Sequence, residues 1–232
     1  MFDFEIILPP GFTAQAEAGV RKELSSAINK RLSVRVGSIR KEIGNMLAMR
    51  FNNTAVARAL RGQSSTDLPA HFGLSDANAS NLASDMEDVI RKSVRVISAL
   101  GVTAGAIKIQ AVDKDYAEFL NLPNASYLST SQRGGAASTI EIPVMRWMLI
   151  DPDIDIGQAE YEIVFSAGGG NAALFRYSRS GRAIMRKLKQ GGAGYVLPDI
   201  VRGALGENFL EYTLRQPEVA TAAAKIFIQR MQ

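Results

Sequence analysis

Gly101-Val102-Thr103-Ala104-Gly105-Ala106-Ile107-Lys108-Ile109-Gln110-Ala111-Val112 is the stretch where the chain changes its period. Before it, Leu82, Met86, Val89, Ile90 and Val94 recur at helical spacing behind Ser75-Asp76, with Ser75 as the capping residue. Within it, a breaker cluster gives way to alternating apolar and polar residues, the period of a strand with one buried face. The switch makes the chain α+β, with helices first and strands afterwards, rather than alternating βαβ units.

Toward the N-terminus the reading is helical. Phe2–Leu8 is a short alternating segment stopped by Pro9-Pro10-Gly11. Thr13 caps a helix carrying Ala16, Val20, Leu24, Ala27 and Ile28. Gly37-Ser38 is expected to interrupt it. A second helix then sets Ile39, Ile43, Met46, Leu47 and Phe51 on one face. Asn52-Asn53-Thr54 breaks that helix, and Thr54 caps a short piece, Ala55–Arg61, ended by Gly62. Gln63–Asp67 is a polar loop, and Ala70-His71-Phe72-Gly73 reads as a helix end.

Toward the C-terminus, Ala106–Val112, Ser138–Ile142, Tyr161–Phe165, Arg182–Met185 and Tyr195–Leu197 read as strands. Ala220, Ala223, Ala224 and Phe227 mark a closing amphipathic helix. The expected fold is α+β: N-terminal helices packed on a mostly antiparallel sheet or small sandwich, with a closing C-terminal helix. It is expected as a single domain over 1–232, mainly helical over 1–98, β-rich over 99–198 and helical again over 199–232.

Composition narrows the chemistry. The 232 residues suffice for a sizeable core, and 47% hydrophobic with 22% charged residues is the composition of a globular protein. Zero cysteine excludes disulfides, thiol nucleophiles, iron–sulfur clusters and cysteine zinc sites. His71, the single histidine, excludes His-rich metal centres and looks like a packed or surface residue rather than a base. No apolar run approaches the roughly 18–20 residues of a membrane span, and Met1-Phe2-Asp3-Phe4-Glu5 lacks the basic start of a secretory signal.

Three motifs invite chemistry and are weakened by their context. Asp151, Asp153 and Asp155, with Glu162 eleven residues after Asp151, imitate the oxygen-ligand spacing of a calcium loop. The sharp-turn glycine is missing, however, since Ile156 stands there. Pro152, Ile154 and Ile156 suggest instead an edge strand with solvated carboxylates. Gly168-Gly169-Gly170-Asn171-Ala172-Ala173 resembles a dinucleotide turn, but no helical pattern follows and no acid appears between Glu162 and Asp199. Ser178-Arg179-Ser180-Gly181 contains serines without a nucleophile elbow.

Charge is more informative in layout than in its net value of +4. Residues 12–62 carry Arg21, Lys22, Lys30, Arg31, Arg35, Arg40, Lys41, Arg50, Arg58 and Arg61 against Glu17, Glu23 and Glu42. Residues 166–198 carry Arg176, Arg179, Arg182, Arg186, Lys187 and Lys189 and no acid. These zones are either solvated faces with some interfacial arginines or surfaces for nucleic acid or an acidic partner.

Three segments, taken in order, resemble structural proteins at the neck or tail-completion position of tailed bacteriophages. The first is Ala59-Leu60-Arg61-Gly62 followed by Leu68-Pro69-Ala70-His71-Phe72-Gly73-Leu74-Ser75-Asp76. The second is Pro143-Val144-Met145-Arg146-Trp147-Met148-Leu149 leading into Tyr161–Phe165. The third is Tyr177-Ser178-Arg179-Ser180-Gly181-Arg182-Ala183-Ile184-Met185, then Tyr195-Val196-Leu197-Pro198, then Gly206-Glu207-Asn208-Phe209. The family pattern has tryptophan where Tyr195 stands.

The resemblance implies a non-enzymatic virion protein, assembled in the host cytoplasm, that forms a homo-oligomeric ring at the head–tail junction. Its partners would be further copies, the portal-side connector and tail proteins, with DNA passing through the lumen without sequence-specific contact. No cofactor, metal or membrane is implied. If a ring forms, the interface candidates are Trp147, Arg176, Tyr177, Arg179, Arg182, Arg186, Tyr195, Pro198, Asn208 and Phe209, because aromatic residues and arginine most often carry interface energy. Trp147 also reads as a residue that simply fills the core. A tail terminator and a DNA-binding accessory protein remain the alternatives, with a metal-dependent hydrolase built on Asp151, Asp153, Asp155 and Glu162 ranked last.

Overall fold

The computed structural model describes residues 2–7, 14–100, 105–133, 136–153, 161–165, 183–187, 197–203 and 207–232. The chain divides into two compact units, each built from separate stretches: Met1–Arg50 with Asp88–Asp115 and Leu214–Gln232, and Phe51–Glu87 with Tyr116–Thr213. The sequence suggests one domain running from helices to strands to helix, whereas the units interleave along the chain. The architecture is broadly α+β, with a helix closing the C-terminus.

The first unit is organised by α1 (Ala14–Asn52). The expected interruption at Gly37-Ser38 does not occur. Ser38 Oγ donates to the Arg35 carbonyl 2.8 Å away, so the serine bonds back onto its own helix instead of ending it. Glycine costs a helix about 1 kcal/mol, which a long helix with a buried face can absorb. That face carries Leu32, Ile39, Ile43 and Leu47, all buried. At Gly44 the helix meets α4 (Asp76–Lys92) so closely that an added Cβ would lie 2.2 Å from the Arg91 carbonyl oxygen. Only glycine fits there.

Helix α4 stops at Lys92, and Val94, expected within it, lies beyond its end although buried. Ser93 makes the transition. Its hydroxyl donates to the Ile90 carbonyl and accepts from the Val112 amide. The chain then enters β2 (Arg95–Leu100), a strand hidden in the sequence because Val94 continues the helical period. A three-stranded antiparallel sheet forms in the order β1-β3-β2 from β1 (Phe2–Ile7), β2 and β3 (Gly105–Ala111). Phe4 stands opposite Ile109, and Ile97 opposite Lys108. In β3, Ile107, Ile109 and Ala111 are buried while Lys108 and Gln110 are partly exposed, which is the expected alternation. The strand ends one residue early because Val112 turns to φ 63, a costly conformation for a β-branched residue. The closing helix α8 (Pro217–Met231) packs on β1 and buries Val219, Ala223 and Phe227.

The second unit is built from short, capped elements. Thr54 caps α2 (Ala55–Leu60), accepting from the Ala57 amide at 3.1 Å, and the chain leaves through Gly62 at φ 70. Asp67 caps α3 (Leu68–His71) in the same way, and Ser75 caps α4 through the Asn78 amide. Three elements of this unit are not legible in the sequence: α5 (Ala117–Leu120), β4 (Tyr127–Arg133) and the helix over Val144–Leu149. β4 pairs with β5 (Ala136–Ile142), and α6 (Val144–Leu149) follows directly. β6 (Tyr161–Phe165) pairs with β7 (Ala183–Lys187). A 3-10 turn over Asp199–Val201 leads to α7 (Phe209–Leu214).

Among the described residues the strands thus form three separate antiparallel sheets, not one sheet or a sandwich. The two hairpins of the second unit close on themselves. Its core is made instead by side chains of the helices and turns: Phe51, Leu60, Leu68, Phe72, Leu74, Leu82, Met86 and Met148 are all fully buried. Asp151-Pro152-Asp153 is a turn after α6 and not an edge strand. Leu197 is buried outside any strand, while Tyr195 and Val196 lie outside the described residues.

Candidate interaction surface

The residues singled out for an interface separate into three groups. Trp147, Asn208 and Phe209 are buried, so they do not offer a surface as expected. Trp147 lies on the inward side of α6, which buries five of its six residues. Asn208 has a structural assignment for each end of its amide. Its Nδ2 donates to Tyr116 Oη at 2.9 Å and to the Leu149 carbonyl at 2.7 Å, while Oδ1 accepts from the Glu211 amide at 2.8 Å. It therefore caps α7 and ties it to two other parts of the unit. Phe209 sits 6.4 Å, centroid to centroid, from Phe51. Pro198 is half-buried before the 3-10 turn. Arg186 is in β7 with its Cα opposite that of Glu162. Arg176, Tyr177, Arg179, Arg182 and Tyr195 lie outside the described residues, as does the Gly168–Ala173 loop.

The carboxylate motif is engaged by arginines. Asp151 pairs with Arg146 at 3.0 Å and Asp153 with Arg202 at 3.4 Å, while Asp155 lies outside the described residues. Among the described residues no group of three or more His, Asp or Glu could hold a metal ion. His71 is half-buried at the end of α3. Burial pulls its pKa below the ordinary 6.5, and the negative charge of Asp67 partly opposes that shift. The fold thus favours the neutral ring.

The exposed surface of α1 is the feature that sequence reasoning missed. Val20, Leu24, Ala27 and Ile28 read as one apolar face, and the expectation is that such a face turns inward. Val20 and Leu24 are instead 60% and 50% exposed, and Val34 is 79% exposed. The 4-3-4-3 spacing of Val20, Leu24, Ala27, Arg31 and Val34 was the signal available. It defines a second stripe, displaced around the helix from the buried one of Leu32, Ile39, Ile43 and Leu47. Beside it opens a groove of about 340 Å³ lined by Leu24, Ala27, Ile28 and Arg31 of α1, Ile107 of β3, and Phe227 and Met231 of α8. Arg31 donates to the Gln232 carbonyl, and Arg230 pairs with Glu42, fixing the end of α8 against α1. Lys22, Lys30, Arg35, Arg40 and Lys41 are exposed along the same helix.

Among the described residues no helix is long and apolar enough to cross a membrane. Comparison of the chain with protein-family models, with curated proteins and with solved structures finds no match.

Proposed function

We propose that the chain is a non-enzymatic structural subunit of a tailed-phage particle, forming a homo-oligomeric ring at the head–tail junction that joins the portal side to the tail. The observation that carries this reading is the clustering of the resemblance. The described residues of all three phage-like segments fall within the second compact unit. Local structure adds support where it is described. The first segment is a helix leaving through a left-handed glycine and then a Ser75-capped helix, and the third ends with Asn208 capping α7. The warrant is likeness of pattern, since folds alone do not fix function.

The reading also gives a use to the outer strands β1 and β2, whose edges can take a neighbouring strand. Native mass spectrometry of the purified protein, together with protein analysis of purified particles, tests it. A closed ring, and the chain present in the virion, are expected. A strict monomer absent from particles would overturn the proposal.

A further inference from the structure

We propose that the groove on α1 receives an amphipathic segment of a partner protein whose apolar stripe is flanked by acidic residues. This rests on the first unit alone and stands or falls independently of the ring assembly.

The dimensions suit a short helical or extended segment. Val20 to Val34 spans about 21 Å of helix at 1.5 Å per residue, roughly four turns. Leu24, Ala27 and Ile28 of α1 line the groove on one side, and Ile107 of β3 with Phe227 and Met231 of α8 line the rest. Val20 and Val34 extend the apolar track beyond each end of the groove, and both are more than half exposed. This concavity fits a rod-shaped occupant better than a flat bilayer. Ridge-and-groove packing of this kind is how amphipathic helices are captured by apolar channels.

Charge selects among occupants. Lys30, Arg31 and Arg35 stand exposed in and beside the stripe, and among the described side chains Glu23 is the acid that borders it. Docking a second copy through the same face would set one positively charged stripe, Lys30, Arg31 and Arg35 against Glu23, toward another of the same sign, which like-charge repulsion disfavours. A partner with carboxylates flanking its apolar residues would instead find cations at both borders. Attraction of that kind steers encounter and weakens as salt rises.

The test uses the full-length chain and a fluorescein-labelled peptide with leucines at i, i+3, i+4 and i+7 and glutamates on both flanks. The same peptide with lysine flanks, phosphatidylglycerol vesicles, and sedimentation of the protein alone complete the set. The glutamate peptide is expected to bind, and Leu24→Glu to weaken it at least roughly tenfold with circular dichroism unchanged. Arg35→Glu is expected to weaken the glutamate peptide and strengthen the lysine one. Failure to bind the glutamate peptide at about 100 µM would overturn the proposal. So would equal binding of both peptides, saturable vesicle binding abolished by Leu24→Glu, or a wild-type dimer that Leu24→Glu dissolves.

Discussion

The two halves of α1 have nearly the same residue vocabulary and opposite fates. From Ile39 onward, Ile43 and Leu47 are fully buried, and Gly44 lets the α4 backbone come within contact distance. Before Val36 only Leu32 among the described leucines and valines is buried, while Val20, Leu24 and Val34 are half or more exposed. Apolar spacing predicts that a helix has a face. Whether that face is covered depends on what the rest of the chain brings to it. In the C-terminal half α4 arrives. In the N-terminal half β3 and the end of α8 border the stripe and leave a groove.

Four substitutions sharpen or break this contrast, each read by urea unfolding followed by circular dichroism. Ile43→Ala should have the largest effect, a loss of about 2–5 kcal/mol, because it opens a cavity in a filled core. A loss below about 1 kcal/mol would mean the C-terminal half is no better covered than the N-terminal one. Gly44→Ala comes next. The new methyl meets a backbone carbonyl that cannot rotate aside, and overpacking of this kind costs about 1–3 kcal/mol, more than the helix-propensity gain of about 1 kcal/mol. A stabilised variant would show that the two helices do not approach so closely.

Gly37→Ala has the opposite sign. Nothing lies within 4 Å of the added Cβ, so the variant should gain about 0.5–1 kcal/mol from helix propensity alone. Destabilisation would restore the break that the sequence suggests at Gly37-Ser38. Leu24→Glu should matter least, within about 0.5 kcal/mol, as befits a half-exposed side chain. A large loss there would mean that the groove is closed by core packing.

The same contrast explains what could be read from the sequence. The capped helices were legible because their signals are local. Thr54, Ser75 and the left-handed Gly62 act within a few residues of themselves. The strands Ala106–Val112, Ser138–Ile142, Tyr161–Phe165 and Arg182–Met185 were placed to within two residues by alternation. β2 escaped because Val94, buried for tertiary reasons, prolonged the apparent helical period across Ser93. The division into hairpins was illegible, since alternation gives a strand its face and not its neighbour. Among the interface candidates, Asn208 shows the difficulty best. A motif asparagine before an aromatic invites a functional role, and its amide is spent on Tyr116, Leu149 and the first turn of α7.

Trp147 has a further use beyond filling space. It is the only tryptophan in the chain, and it is buried within the second unit. Its emission, excited where tyrosine is silent, is an optical signal native to that unit, whereas far-ultraviolet ellipticity sums the helices of both. If the two units unfold together, the two curves superimpose through a denaturant titration; if each unfolds alone, they part. The molecule thus carries its own gauge of whether its two compact units are one cooperative body, without a label or a new residue.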